Sequence, residues 1–169
     1  MPLPKHEDLV EVRSDIKTFI ETGSFTGVGI QKALDAGFTE IYSCELMKKH
    51  YDSCMDRFSD NDNVSLYLGS SEDFLPEILE KVDQPFVLWL DAHGGYQGVA
   101  GEPLKQYLPK EFDVLYKYSA KFDSSVIMID DANQFINDQN FKTKVEEFLK
   151  EIKPDSTIEY YENRVVICK

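Results

Sequence analysis

Carboxylates that directly follow apolar runs carry the clearest chemistry in this sequence. Asp91 ends the run PFVLWL, and Asp130–Asp131 end SVIMI. On neighbouring strands these three side chains would converge, raise one another's pKa and oppose folding unless a cation held them. Hard oxygen ligands of this kind suit Mg²⁺, which keeps several waters and accepts substrate oxygens. The structural alternative is that one or two of them cap helices or face solvent. His93, two residues after Asp91 and beside Gly94 and Gly95, is a candidate general base on a glycine-rich loop. A lone histidine is more often structural. The stretch HGGYQGVAGEP reads as a mobile loop over the site, with Tyr96 able to stack on a substrate.

A second group of candidates begins at FIETGSFTGVGI, residues Phe19 to Ile30. Its glycines, Gly23, Gly27 and Gly29, miss the G-x-G-x-x-G spacing of a dinucleotide loop, and there is no lysine for a P-loop. Glu21 at the head of the loop would repel a pyrophosphate but suits a cationic or hydroxyl-bearing ligand. A plain strand–helix turn is the alternative. Glu45, ending EIYSCE, can accept hydrogen bonds from both hydroxyls of a ribose, or can serve simply as an acid near a helix N-terminus. In YLGSSEDFL, Gly69 permits a sharp turn, Ser70 or Ser71 can cap a helix, and Glu72 and Asp73 lie in its first turn. That accounts for the stretch structurally, and it also offers polar groups where an adenine would reach.

Short β-rich runs alternate with amphipathic patterns along the whole chain. The strand candidates are Lys17–Glu21, Glu40–Glu45, Val64–Leu68, Phe86–Leu90, Ser125–Ile129, Thr157–Tyr161 and Val165–Cys168. Helical patterns cover Thr26–Asp35, Met47–Phe58, Ser71–Lys81, Pro103–Lys121 and Phe141–Ile152, with Gly37 and Pro154 as stop signals. This rhythm predicts a Rossmann-like, doubly wound α/β sheet of five parallel strands. The last two strands are too close for a helical crossover and predict an antiparallel C-terminal hairpin. Ligands in such sheets sit beyond the carboxyl ends of the strands, where these acids cluster.

With 169 residues the chain fits a single domain, residues 1–169, with 1–17 a short N-terminal segment. Its 18 basic and 31 acidic residues give a net charge of −13, which opposes attachment to nucleic acid or anionic membrane. Cys44, Cys54 and Cys168 read as free thiols of a reducing compartment. No run is apolar and long enough for a signal peptide or a membrane span, so the expected location is the cytoplasm.

Taken in order, these strand ends resemble class I S-adenosylmethionine-dependent methyltransferases, in particular the small metal-dependent O-methyltransferases of the catechol and macrocin type. ETGSFTGVG is similar to their cofactor loop, IYSCEL to the strand whose closing acid binds ribose, and VSLYLGSSEDFLPEI to their adenine-side segment. LWLDAH and VIMIDDAN resemble their two metal-bearing strand ends. The resemblance runs from about Thr18 to the C-terminus and implies the seven-stranded methyltransferase fold. It also implies cofactor contacts from Glu21, Gly23, Ser24, Phe25, Gly27, Glu45, Leu46, Gly69, Ser70, Ser71, Glu72 and Asp91. Asp91, Asp130 and Asp131 would hold Mg²⁺, and Asp91 and His93 would be catalytic. The implied reaction is O-methylation of a small hydroxylated acceptor such as a sugar or nucleotide-sugar. Separately, so small a domain with so short an N-terminal segment would profit from a neighbour's surface, and a homodimer is expected. Gly94 stands where the catechol enzymes have a lysine base, and His93 is the substitute. Two alternatives stay open: a non-catalytic or regulatory cofactor-binding domain, and a carboxylate or metal enzyme acting on sugars without this cofactor.

Overall fold

The computed structural model describes residues 9, 12, 15–94, 103–162 and 165–169. Seven strands, β1 (Thr18–Thr22), β2 (Glu40–Glu45), β3 (Val64–Leu68), β4 (Phe86–Leu90), β5 (Val126–Ile129), β6 (Ile158–Tyr161) and β7 (Val165–Cys168), form one sheet. Five helices connect them: α1 (Val28–Asp35), α2 (Lys48–Arg57), α3 (Ser71–Lys81), α4 (Leu104–Lys117) and α5 (Gln139–Ile152). The strand order is 3-2-1-4-5-7-6, with β1 to β5 parallel and β7 antiparallel to both β5 and β6. This is the expected doubly wound sheet with a C-terminal hairpin; β7 inserts between β5 and β6.

The central strands are buried on both faces, which is why they read as near-continuous apolar runs and not as alternations. In β4, Phe86, Leu88 and Leu90 join the core under α3, α4 and α5, while Val87 and Trp89 join the core under α1 and α2. Leu9, from the N-terminal segment, packs into the second core.

Element ends differ from the sequence expectation for local reasons. α1 starts at Val28, not Thr26, because Gly27 sits at its N-cap in the left-handed region (φ 76°). α5 starts two residues early, at Gln139, because the Asp138 side chain accepts a hydrogen bond from the Phe141 amide (3.2 Å). α4 ends at Lys117, and Ser119–Lys121 forms a separate 3-10 turn. No helix among the described residues is long and apolar enough to cross a membrane.

The strand order reverses between β1 and β4, which opens a crevice at their carboxyl ends. The loops there are stitched edge to edge. Gly69 N–H donates to the Glu45 carbonyl (3.0 Å), Gly23 N–H to Cys44 (3.0 Å), Asp91 N–H to Thr22 (3.2 Å) and Asp130 N–H to Leu90 (3.1 Å). Each loop thereby prolongs the ladder of its strand and holds its side chains in register with its neighbours.

Candidate functional site

A cavity of about 220 Å³ occupies this crevice. Its walls come from the loops after β1, β2, β3, β4 and β5, from α2 through His50 and from α4 through Tyr107. Of the residues expected to meet a cofactor, Glu21, Gly23, Ser24, Phe25, Glu45, Leu46, Gly69, Ser70, Ser71 and Asp91 line it. His93 and Asp131 line it as well. Gly27 and Glu72 do not. A Cβ on Gly27 would meet the Phe58 ring at 2.5 Å, so this glycine serves the packing of α1 on α2. Glu72 points to solvent, 3.9 Å from Lys110 Nζ. The HGGYQGVAGEP loop, with Tyr96, lies outside the described residues from position 95 to 102.

The β1–β2 side is self-satisfied. Glu21 is buried and accepts the Ser43 hydroxyl (2.7 Å); the Ser43 and Ser24 hydroxyls share a 2.6 Å bond, and Ser24 also donates to the Cys44 carbonyl. Burial pushes the Glu21 carboxyl up to about 7, with Ser43 opposing and Glu45 adding to the rise. Glu21 therefore lines the cavity and also ties the loop to β2 through Ser43. A Cβ on Gly29 would lie 1.7 Å from Glu21 Oε1, so that glycine makes room for the acid. Gly23 (φ 85°) is pressed against β4: a Cβ there would be 2.6 Å from the Asp91 carbonyl oxygen.

Glu45 is clamped from both sides. Its Oε2 accepts the Phe25 amide (2.8 Å) and its Oε1 the Met47 amide (2.7 Å). The Phe25 amide reaches it because Phe25 adopts a left-handed backbone (φ 46°), a strained conformation for a residue with a side chain. Each carboxylate oxygen keeps a second lone pair for a ligand hydroxyl. Around it, Phe25, Val28 and Leu46 are exposed at the mouth, and the Phe25 ring lies 4.6 Å from the His50 ring. His50 was not among the expected site residues; a polar helix face gave no sequence signal for it. Open space over Gly69 completes a flat apolar shelf beside a pair of acceptors. An adenosine group fits these residues.

The β4–β5 side is different. His93 Nε2 lies 3.1 Å from Asp131 Oδ2 and 3.8 Å from Asp91 Oδ1. Asp131 Oδ2 also accepts from Gln134 Nε2 (3.0 Å). Asp130 is fully buried, with Oδ1 on the Asp131 amide (2.7 Å). Burial, then Asp130, Glu21, Asp131 and Glu111, holds the Asp91 carboxyl well above the usual range. The three aspartates do converge, as their strand ends require. An imidazole stands between two of them, and no group of three or more His, Cys, Asp or Glu side chains among the described residues is arranged to hold a metal ion. As placed, the expected Mg²⁺ ligands Asp91, Asp130 and Asp131 do not fit a divalent cation.

Two residues here come from α4 and were missed by the sequence reading. The Tyr107 hydroxyl shares a 3.0 Å bond with Ser71, and Glu111 is buried one turn further on. Burial pushes the Glu111 carboxyl up to about 7, opposed by Ser71, Thr22 and His93. The signal for it was present: Leu104, Tyr107, Leu108, Phe112 and Leu115 form the buried stripe of α4, and Glu111 interrupts it.

No protein-family model matches this sequence, and no curated protein is similar enough to count as a relative. Solved structures share its fold. A Podospora anserina methyltransferase bound to SAH superposes with TM-score 0.67 at 14% identity, over 97% of this chain and 76% of that one. A Streptococcus mutans protein described as a putative methyltransferase in complex with SAH gives 0.64 at 14%, over 96% and 93%. A Staphylococcus aureus protein described as a putative caffeoyl-CoA O-methyltransferase gives 0.64 at 13%, over 99% and 84%. The architecture is the seven-stranded methyltransferase fold.

Proposed function

We propose that this chain transfers the methyl group of S-adenosylmethionine to a small nucleophilic acceptor. Glu45 carries the reading: a buried carboxylate at the end of β2, fixed by two backbone amides, opens its remaining lone pairs onto a cavity with an apolar shelf. Such a pair of acceptors suits the two ribose hydroxyls. Leu46 and Met47 then face the adenine, with Gly69, Ser70 and Ser71 along its edge. Gly23 borders the methionine portion, and Asp91 complements its ammonium group.

When bound, S-adenosylmethionine supplies an electrophilic methyl on a sulfonium centre. The chain's own contribution is orientation and proton handling. Asp131, held by Gln134, anchors His93 Nε2, and Nδ1, which bonds to no described residue, is the nitrogen left to accept a proton from the acceptor. No step is assigned to a divalent ion, since the aspartates do not fit one. A hydroxylated acceptor, such as a sugar or nucleotide-sugar, is what the resemblance implies.

Calorimetry with S-adenosylhomocysteine tests this reading. Micromolar binding is expected, weakened at least tenfold by Glu45→Ala; absence of binding to the unsubstituted chain would refute it.

A further inference from the structure

The cavity wall on the β4–α4 side carries more negative charge than the chain's own donors take up. Glu21, Glu45, Asp91 and Asp131 line the cavity, and no lysine or arginine does so among the described residues. Glu45 and Glu21 are held by amides and by Ser43, and Asp131 by His93 and Gln134. Among the described residues, Asp91 has only the imidazole at 3.8 Å.

Glu111 adds a fifth carboxylate beneath the floor. It is 2% exposed, and its Oε1 has no hydrogen-bond partner among the described residues. Its charge reaches Asp91, Tyr107, Cys44 and His93, and all four line the cavity. A leucine at 111 would complete the apolar stripe of α4. Ser71 and Thr22 hold the Glu111 side chain, but a buried carboxylate with one oxygen left over still opposes folding, so that oxygen points to a partner that arrives from the cavity. The donor molecule brings a single net positive charge, which Asp91 complements through the ammonium group. Glu111, which burial holds toward its neutral form, is left over and ionises when a second cation comes near.

We propose that the methyl acceptor is an amine, bound as a cation, and that Glu111 is the positioning residue that selects it over a neutral hydroxyl compound. The proposal rests on the methyl-transfer reading for its chemistry and on the cavity alone for its charge preference. In the reaction, the bound ammonium gives a proton to His93 Nδ1. The freed nitrogen lone pair forms the N–C bond, and the electron pair of the broken C–S bond stays on sulfur as a thioether. The product is an N-methylated ammonium, so charge is conserved, and His93 returns its proton to solvent.

The test uses the full chain saturated with S-adenosylhomocysteine and three matched pairs: benzylamine and benzyl alcohol, phenethylamine and phenethyl alcohol, 1,4-diaminobutane and 1,4-butanediol. Calorimetry is expected to give at least one amine bound fivefold or more tighter than its alcohol. In Glu111→Gln that ratio should fall below twofold with S-adenosylhomocysteine affinity unchanged, and Glu111→Asp should restore most of it. If no amine reaches fivefold, the acceptor is not selected by charge and the proposal is overturned. A ratio that survives Glu111→Gln overturns the role of Glu111. Should S-adenosylhomocysteine fail to bind, methyl transfer is refuted, while the same ratio measured on the unloaded chain still decides the charge preference.

Discussion

The two sides of the cavity treat their carboxylates in opposite ways. On the β1–β2 side, Glu45 has an amide on each oxygen and Glu21 has the Ser43 hydroxyl. On the β4–α4 side, Asp91 reaches its imidazole only at 3.8 Å, and Glu111 Oε1 has no hydrogen-bond partner among the described residues. A satisfied carboxylate is rigid and costs little to keep, so it can serve as a preformed acceptor. An unsatisfied one destabilises the fold until something positive arrives. The contrast separates a side that holds a shape from a side that waits for a charge.

The sharpest way to break this division is to remove the imidazole. His93→Ala should lower the methyl-transfer rate about 100- to 1,000-fold, the usual size of a general-base contribution, with S-adenosylhomocysteine affinity unchanged. Equal losses in rate and in affinity would show that His93 belongs to the shape-holding side. Next in size, Glu45→Ala should weaken S-adenosylhomocysteine by about 30- to 100-fold, since two backbone amides lose their acceptor together with the ribose. A Kd within twofold of the parent chain would remove Glu45 from the binding surface.

Stability provides a third measurement. Glu111 is raised from 4.5 to about 7 on folding. The folded state thus favours the protonated acid, and stability falls as pH rises from about 4.5 to 7, then levels off. By linkage the loss approaches about 3 kcal/mol. Glu111→Gln should therefore be more stable than the parent at pH 8, by up to that amount, and nearly equal to it at pH 4. Urea titrations at the two pH values check this; a variant less stable at pH 8 would mean that Glu111 is satisfied after all. The smallest expected effect is that of a chelator. Excess EDTA should leave turnover within twofold, and abolition of activity would restore the aspartates as metal ligands.

Much of this architecture was legible in the sequence. β2, β3, β4 and β7 and helix α3 have the limits that composition and spacing predict, because β-rich runs bounded by polar turns mark strands, those of β4 and β7 being buried throughout. The convergence of Asp91, Asp130 and Asp131 was legible too, as a consequence of strand order. What they do together was not. Whether three acids hold a cation depends on side-chain direction, and a histidine two residues along the loop stands between two of them. The resemblance implies a cofactor contact at Gly27, yet the group that comes close there is Phe58, and at Gly29 it is Glu21. Spacing shows that something comes close and is silent about what. His50 and Tyr107 reach the cavity from helices whose tilt only the packed fold determines.

The lock between Gly29 and Glu21 limits how this loop can diversify. Any side chain at position 29 would put a Cβ 1.7 Å from Glu21 Oε1, so a substitution there displaces the carboxylate from Ser43. Shortening residue 21 first opens the space but abandons Ser43, and with it the hydroxyl chain that reaches Ser24. A change at either position therefore passes through a state in which the Glu21–Ser43 bond is weakened. Among descendants of this chain, the pair should change together or be inherited intact.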